Sequence, residues 1–279
     1  MDIQGSCLCG SVHYQISGKC SDMLSCHCSL CRKSHGSAFA TFSSVHKDNL
    51  EFTAGKDYIC SYSVSSHLAR TWCDVCGSTL PFLEGEHYSV PVGTLLDPCP
   101  MKIVGHIFTG SKAPWYMITD DLRKFETFPP SMARQETSRS VNRKDSTSTS
   151  SGSCLCGNCQ FQIVGEPKFM MNCHCDRCRR SRAAAHATNL MFPEEALLWL
   201  SGYDQCTHYK LPHADRFRTT FCGECGSLMP SLWGENWNVP AGCLDYDPRI
   251  QPKGHIFVGE KATWFNICDD IPQFETRPQ

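Results

Sequence analysis

What most restricts the fold of this chain is a set of closely spaced cysteines that occurs twice. Gly5-Ser6-Cys7-Leu8-Cys9-Gly10 returns as Gly152-Ser153-Cys154-Leu155-Cys156-Gly157, 147 residues later. Cys26-His27-Cys28-Ser29-Leu30-Cys31 returns at the same offset as Cys173-His174-Cys175-Asp176-Arg177-Cys178. Cys73-Asp74-Val75-Cys76-Gly77-Ser78 returns as Cys222-Gly223-Glu224-Cys225-Gly226-Ser227, now 149 residues on, as do Gly105-His106-Ile107-Phe108 (Gly254-His255-Ile256-Phe257) and Trp115 (Trp264). This period is far longer than that of solenoid repeats, so the chain is a tandem duplication and each copy must fold around its own cysteine clusters.

The two extra residues of the second copy fall between Lys56–Arg70 and Tyr203–Arg218, where Ser63–Ser66 faces the longer Leu211–Asp215. Insertions are best tolerated at loop tips, which predicts a hairpin turn there. Between the copies, residues 131–151 are rich in Ser, Thr, Arg and Gln and nearly lack large apolar side chains. Such a segment buries too little apolar surface to offset the entropy of ordering, and reads as a flexible linker. The expected division is 1–130, a linker over 131–151, and 152–279.

Within each copy the apolar period is mostly two: Val12, Tyr14 and Ile16 alternate with polar residues, as do Cys159, Phe161 and Ile163. Phe39–Phe42, Tyr58–Tyr62, Tyr88–Val90 and Lys102–Val104 read as further short strands between Gly, Pro or Asp. Only Pro193–Leu198, with its counterpart His46–Leu50, reads as a helical turn. The expected fold is all-β: two small domains of short strands held together partly by metal.

Twenty-one cysteines in 279 residues need a chemical explanation. No charged-apolar-small segment precedes Gly5, and no apolar run approaches a membrane span, so a soluble cytoplasmic protein with access to the nucleus is expected. In a reducing compartment, cysteines at this density read as metal ligands rather than disulfides. A net charge of -2 gives no long-range attraction for nucleic acid or an anionic membrane. Cys20, Cys60, Cys99, Cys159, Cys206, Cys243 and Cys268 lie outside the repeated clusters and are expected to behave as small buried apolar residues.

The clusters are of two kinds. Cys7 and Cys9 with Cys73 and Cys76, and Cys154 and Cys156 with Cys222 and Cys225, each combine two cysteine pairs beside a glycine that permits a sharp turn. That pattern suits a closed tetrahedral zinc clip of four thiolates, a stabilising rather than a catalytic site. In Cys26, Cys28 and Cys31, and in Cys173, Cys175 and Cys178, three thiols crowd into six residues with no fourth cysteine recurring beside them. Either a distant donor closes the tetrahedron or the fourth position is exchangeable. His27 and His174, each between two cysteines that share a face of extended backbone, should point away, which favours the open form. A thiolate-rich Zn²⁺ in that form accepts an exogenous thiol and holds it as thiolate.

Taken in order, Gly-Ser-Cys-x-Cys-Gly, Cys-His-Cys-x-x-Cys-Arg, Cys-x-x-Cys-Gly-Ser and Gly-His-Ile-Phe…Trp occur twice, covering nearly all of the chain except the linker. Together they resemble the glutathione-dependent formaldehyde-activating family, which also includes centromere protein V. The resemblance implies a β-tent-like fold of small antiparallel sheets, with a structural four-cysteine zinc and a second zinc on the triplet in each copy. It implies a carbon–sulfur lyase or synthase reaction, addition of glutathione to formaldehyde to give S-(hydroxymethyl)glutathione, with a small thiol and an aldehyde as partners. The triplet cysteines would then be ligands of the catalytic zinc, and His35, His106 or His255 would be candidates to supply a proton. The centromere branch offers a different reading, a non-catalytic zinc module for protein or chromatin contact.

The copies differ after the triplet. Arg32-Lys-Ser-His-Gly-Ser-Ala-Phe39 faces Arg179-Arg-Ser-Arg-Ala-Ala-Ala-His186, so Ala183 replaces Gly36 and His186 replaces Phe39. If Gly36 has positive φ, alanine there should distort the loop, which makes the first site the better enzyme candidate. Arg32, Lys33, Arg179 and Arg180 are expected to balance thiolate charge or to hold ligand carboxylates. Asp120-Asp121 and Asp269-Asp270 read as turn residues, and Trp72, Trp115 and Trp264 as core or cleft wall.

Overall fold

A computed structural model describes residues 2–66, 68–96, 100–132 and 150–278. The first repeat contains β1 (Ile3–Ser6), β2 (His13–Ile16), β3 (Met23–Cys26), α1 (Ser29–His35), β4 (Ala40–His46) and β5 (Leu50–Ala54). It continues through β6 (Ile59–Ser65), β7 (Leu68–Cys73), β8 (Phe82–Glu84), β9 (His87–Pro91), β10 (Ile103–Ile107) and β11 (Arg123–Lys124). The second repeat follows the same order: β12 (Ser150–Ser153), β13 (Gln160–Ile163), β14 (Phe169–Cys173), α2 (Asp176–Arg182), β15 (Ala187–Pro193) and β16 (Leu197–Ser201). Then come β17 (Cys206–Lys210), β18 (Arg218–Cys222), β19 (Leu228–Met229), β20 (Ser231–Trp233), β21 (Asn236–Pro240), β22 (His255–Ile256) and β23 (Gln273–Phe274).

Each repeat builds a three-stranded sheet, a six-stranded sheet and a hairpin. In the first these are β1-β2-β5, β11-β10-β3-β4-β9-β8 and β6-β7. The second has β12-β13-β16, β20-β21-β15-β14-β22-β23 and β17-β18 with the short β19 added. The alternation that predicts a half-buried strand is seen in β2, where Tyr14 and Ile16 are buried and His13 and Gln15 are not. One departure from antiparallel pairing positions the triplet. β3 runs parallel to β10, placing Cys26 beside Ile107, and β14 runs parallel to β22, placing Cys173 beside Ile256.

The expected hairpin at the insertion is present in both copies, β6-β7 and β17-β18. Pro193–Leu198 forms only a 3-10 turn over Glu194–Ala196 before β16 begins. The two α-helices among the described residues lie instead directly on the triplets, which show no helical period in the sequence. Cys28 is the N-cap of α1, its sulfur accepting the Cys31 amide at 3.4 Å, and Cys175 caps α2 in the same way. Ser150 and Ser151, placed in the linker by composition, belong to β12, while residues 133–149 lie outside the described residues. Among the described residues no helix is long and apolar enough to cross a membrane.

Gly36 ends α1 with φ 58°, as its position suggested, but Ala183 ends α2 in the same left-handed conformation, with φ 49°. The loop is therefore retained rather than distorted, at a cost of about 1 kcal/mol for the alanine Cβ.

The two repeats pack against each other extensively. All seven residues of α1 are buried, because the Ala241–Cys243 turn of the second repeat covers it. Reciprocally, α2 lies against Val92–Thr94 of the first. His35 Nδ1 lies 2.7 Å from the Arg182 carbonyl, and Ser37 donates to the His186 carbonyl at 2.6 Å. Ala38, Phe39, Ala113 and Trp115 of the first repeat belong to the same apolar cluster as Phe161, Leu190 and Val239 of the second. The core is thus continuous across the repeat boundary.

Candidate metal centres

The first clip forms where the β1–β2 loop meets the tight turn after β7. The sulfurs of Cys7, Cys9, Cys73 and Cys76 all lie within 4.8 Å of one another, with Cys7 to Cys9 at 3.4 Å and Cys9 to Cys73 at 3.7 Å. The second clip, Cys154, Cys156, Cys222 and Cys225, repeats these separations at 3.3 and 3.7 Å. A tetrahedron built on metal–thiolate bonds of about 2.3 Å has edges of about 3.8 Å, so the donor set fits such an ion. Backbone amides support the sulfurs: Val12 N–H donates to Cys7 at 3.3 Å and Cys159 N–H to Cys154 at 3.2 Å. Ser78 Oγ accepts the Leu8 amide at 3.0 Å, and Ser227 Oγ the Leu155 amide at 2.9 Å, locking each loop to its turn.

In the first triplet, Cys26 ends β3, Cys28 caps α1 and Cys31 lies in its first turn. Their sulfurs gather within 4.8 Å of one another, as do those of Cys173, Cys175 and Cys178, and all six residues are buried. Among the described residues no fourth His, Cys, Asp or Glu donor joins either triplet. Hydrogen bonds from Cys26 and Cys31, with the Cys31 amide and Arg70 adding, hold the Cys28 thiol well below the ordinary range. In the second triplet Cys173 and Cys178 act likewise on Cys175 and bring it to about 3. The helix N-terminal amide and the neighbouring thiols thus favour the thiolate at Cys28 and Cys175, while hydrogen bonds to the neighbouring cysteines and burial raise Cys26 and Cys178.

Arg70, on β7, was not singled out by the sequence. It is only 2% exposed, donates from Nη2 to Cys31 Sγ at 3.4 Å and lies over the Phe82 ring, while its Nε and Nη1 have no hydrogen-bond partner. A buried guanidinium is tolerated where negative charge faces it, and the thiolates of the triplet supply that charge. Thr219 occupies the corresponding position in the second repeat and instead donates to the Cys76 carbonyl at 3.0 Å. Arg70→Met should weaken metal retention at the first triplet by about tenfold, the loss expected for one hydrogen bond to a charged group. The second triplet should be unaffected, and competition with a chromophoric chelator would measure both.

His27 and His174 point away from the sulfurs, as expected, and form the inner ends of two buried chains. His27 Nε2 lies 2.9 Å from His106 Nδ1, and His106 Nε2 lies 3.0 Å from Asp120. His174, His255 and Asp269 repeat this at 2.8 and 3.0 Å. Burial lowers His27 to about 3 and His174 to about 2, so both are neutral near pH 7. Asp120 and Asp269 do make turns, accepting the Leu122 and Ile271 amides, but each also orients a histidine, a role their sequence context did not reveal. The candidate proton donors His106 and His255 have both ring nitrogens engaged by these partners. His35 is buried against Arg182, with Nε2 unpartnered.

Three of the four basic residues after the triplets, Lys33, Arg179 and Arg180, serve the repeat interface. Lys33 pairs with Asp245 at 2.6 Å and donates to Ser153, Arg179 donates to the Gly93 and Leu95 carbonyls, and Arg180 donates to Ser6 Oγ and the Cys7 carbonyl. Arg32 donates to the Ser111 carbonyl. Of the other cysteines, Cys159, Cys206 and Cys243 are buried as expected, Cys20 and Cys60 are half-buried, and Cys268 is exposed. Cys99 lies outside the described residues. Cys159 and Cys206 stand where the first repeat has Val12 and Ile59, with their sulfurs 3.6 Å apart.

These features define a duplicated β-protein whose copies each carry a closed four-thiol clip and an open three-thiol cluster, both able to hold a metal ion. The chain belongs to the glutathione-dependent formaldehyde-activating enzyme family, whose model matches residues 2–111 and again 149–260. It is 31% identical over 81 residues to a protein of Schizosaccharomyces pombe named as an uncharacterized lyase, a match covering 29% of this chain and 57% of that protein. A crystal structure of a Rhodobacter sphaeroides protein aligns with 37% of this chain and 98% of its own, at 22% identity and a TM-score of 0.31.

Proposed function

We propose that the chain is a zinc-dependent carbon–sulfur lyase or synthase that joins a small thiol to an aldehyde, with glutathione and formaldehyde as its substrates. In this reading residues 1–130 and 152–279 each form a zinc domain, with Cys7, Cys9, Cys73 and Cys76, and Cys154, Cys156, Cys222 and Cys225, holding structural zinc. Cys26, Cys28 and Cys31, and Cys173, Cys175 and Cys178, hold the zinc that serves catalysis. The observation that carries the reading is the contrast within one repeat between a four-thiol set and a buried three-thiol set with no fourth donor among the described residues. A closed set suffices for stability, so an open one beside it calls for a ligand from outside. Family membership and a relative named as a lyase support the reaction class.

When bound, zinc on three thiolates offers an exchangeable position to an incoming thiol and keeps that thiol ionised. The chain's own residues supply the setting. Cys26, Cys28 and Cys31 lie in an apolar cluster with Leu68, Phe82 and Phe108, which excludes water from the sulfurs. Arg70 places a fixed positive charge beside Cys31. The Asp120–His106–His27 chain holds the strand end carrying Cys26 and Cys28 against β10. In the net reaction the thiol sulfur bonds to the aldehyde carbon, the C=O π pair becomes the alkoxide, and the thiol proton ends on that oxygen.

Cys28→Ser and Cys175→Ser, made separately, test the reading by thiol-dependent disappearance of formaldehyde. Cys28→Ser should lose at least about a hundredfold in turnover if this triplet activates the nucleophile, with an unchanged circular dichroism spectrum. Unchanged turnover would sink the mechanism. Cys175→Ser should lose less, because the second triplet lacks the Arg70 contact, and equal losses would remove the proposed asymmetry.

A further inference from the structure

We propose that the repeats complete each other's sites: the clip of each repeat supplies an apolar wall for the triplet of the other. Leu155 is thus a positioning residue for Cys26, Cys28 and Cys31, and Leu8 for Cys173, Cys175 and Cys178. Leu155 lies between two clip cysteines of the second repeat, yet packs on the apolar cluster formed by the first triplet. Leu8, its counterpart in the first clip and 6% exposed, belongs to the cluster that contains the second triplet. The same cluster includes Cys7, Cys73 and Cys76, so the first clip and the second triplet share one packed region.

Equivalent residues maintain the exchange in both directions. Lys33, two residues after Cys31, donates to Ser153 O at 2.7 Å, and Ser153 immediately precedes the second clip. Arg180, the counterpart of Lys33, donates to the Cys7 carbonyl at 2.5 Å in the first clip. The hairpins cross over as well. Phe221 of β18 lies against Gly77 in the first clip, and Trp72 of β7 against Gly226 in the second. Each leucine amide is held by the serine that follows its own clip turn. Closure of a clip therefore fixes a side chain at the opposite triplet, and an apolar wall there limits the approach of water and bulky polar groups to the sulfurs.

The geometric claim stands without the proposed reaction; only its catalytic consequence rests on that reading. Site-resolved alkylation therefore tests it, using iodoacetamide on the full zinc-loaded chain and mass-spectrometric quantification of each triplet peptide. Leu155→Ala should raise the alkylation rate of Cys26–Cys31 by about tenfold and leave Cys173–Cys178 unchanged; Leu8→Ala should do the reverse. Leu155→Met and Leu8→Met, which refill the volume, should restore protection. A rise confined to the triplet of the mutated repeat, no rise at all, or equal rises at both triplets that the methionine variants share would each overturn the proposal. Should the crossed pattern appear while Cys28→Ser keeps full turnover, the shared architecture would stand and the reaction would fall.

Discussion

Cys73→Ser is expected to remove one metal ion per chain and to lower the thermal midpoint of unfolding by about 10 °C or more. Cys73 ends β7 and faces Cys9 across 3.7 Å, joining the N-terminal loop to a turn more than sixty residues later. A three-sulfur remnant keeps the loop-closure cost without the bond that offsets it. Structural zinc sites in small domains are worth about 10–16 kcal/mol in apparent binding free energy. Loss of even about 4 kcal/mol would shift the midpoint by about 10 °C in a chain of this size. Because Phe221 packs against Gly77 of this clip, the loss should spread into the second repeat's hairpin rather than stop at the boundary. Elemental analysis and scanning calorimetry provide the check, and an undiminished metal count with an unchanged midpoint would contradict the clip. Cys28→Ser should have a much smaller effect on the midpoint, because no clip is broken.

Gly242→Ala is expected to cost about 3 kcal/mol or more through overpacking at the repeat interface. A Cβ at Gly242 would lie 2.2 Å from the Arg32 carbonyl oxygen and 2.6 Å from the Ser37 amide, both backbone atoms of the segment that ends α1. A flexible side chain could yield, but here the repeats themselves must separate. The corresponding Gly93 meets the backbone of Ala183 and Ala184 at 2.2–2.3 Å, so Gly93→Ala should have a similar effect from the other side. Denaturant unfolding gives the measure. A loss below about 0.5 kcal/mol, the range of surface substitutions, would mean that the repeats do not dock as described.

The clusters and the strands were legible because their signals are local. Cysteines at fixed short spacing, the two-residue alternation at Tyr14 and Ile16, and an insertion at a hairpin tip can all be read from neighbours in the chain. The helices on the triplets escaped because a seven-residue helix is too short to show a 3.6-residue period, and its cap is a cysteine sulfur rather than the usual hydroxyl or carboxylate. Arg70, the aspartate–histidine chains and the crossed packing escaped for another reason. Their partners lie 39 residues away for Arg70 and Cys31, 79 for His27 and His106, and 120 for Lys33 and Ser153. Only the folded topology brings these groups together. The basic residues after the triplets were visible as charges, but nothing in the sequence indicated that Lys33, Arg179 and Arg180 face the other repeat instead of a ligand.

Joining the two repeats in one chain also changes what substitution can do. In a homodimer every change appears twice, once on each side of the axis, so a useful alteration in one site is imposed on both. Here each position is inherited separately. Arg70 stands opposite Thr219, Phe39 opposite His186, and Val12 with Ile59 opposite Cys159 with Cys206. Phe39 and His186 even meet, ring centres 5.6 Å apart, so the break in symmetry lies at the centre of the contact. The covalent join makes pairing of the repeats intramolecular, so dilution alone does not separate them. One triplet is thereby free to diverge while the other keeps its chemistry, with each still walled by its unlike neighbour.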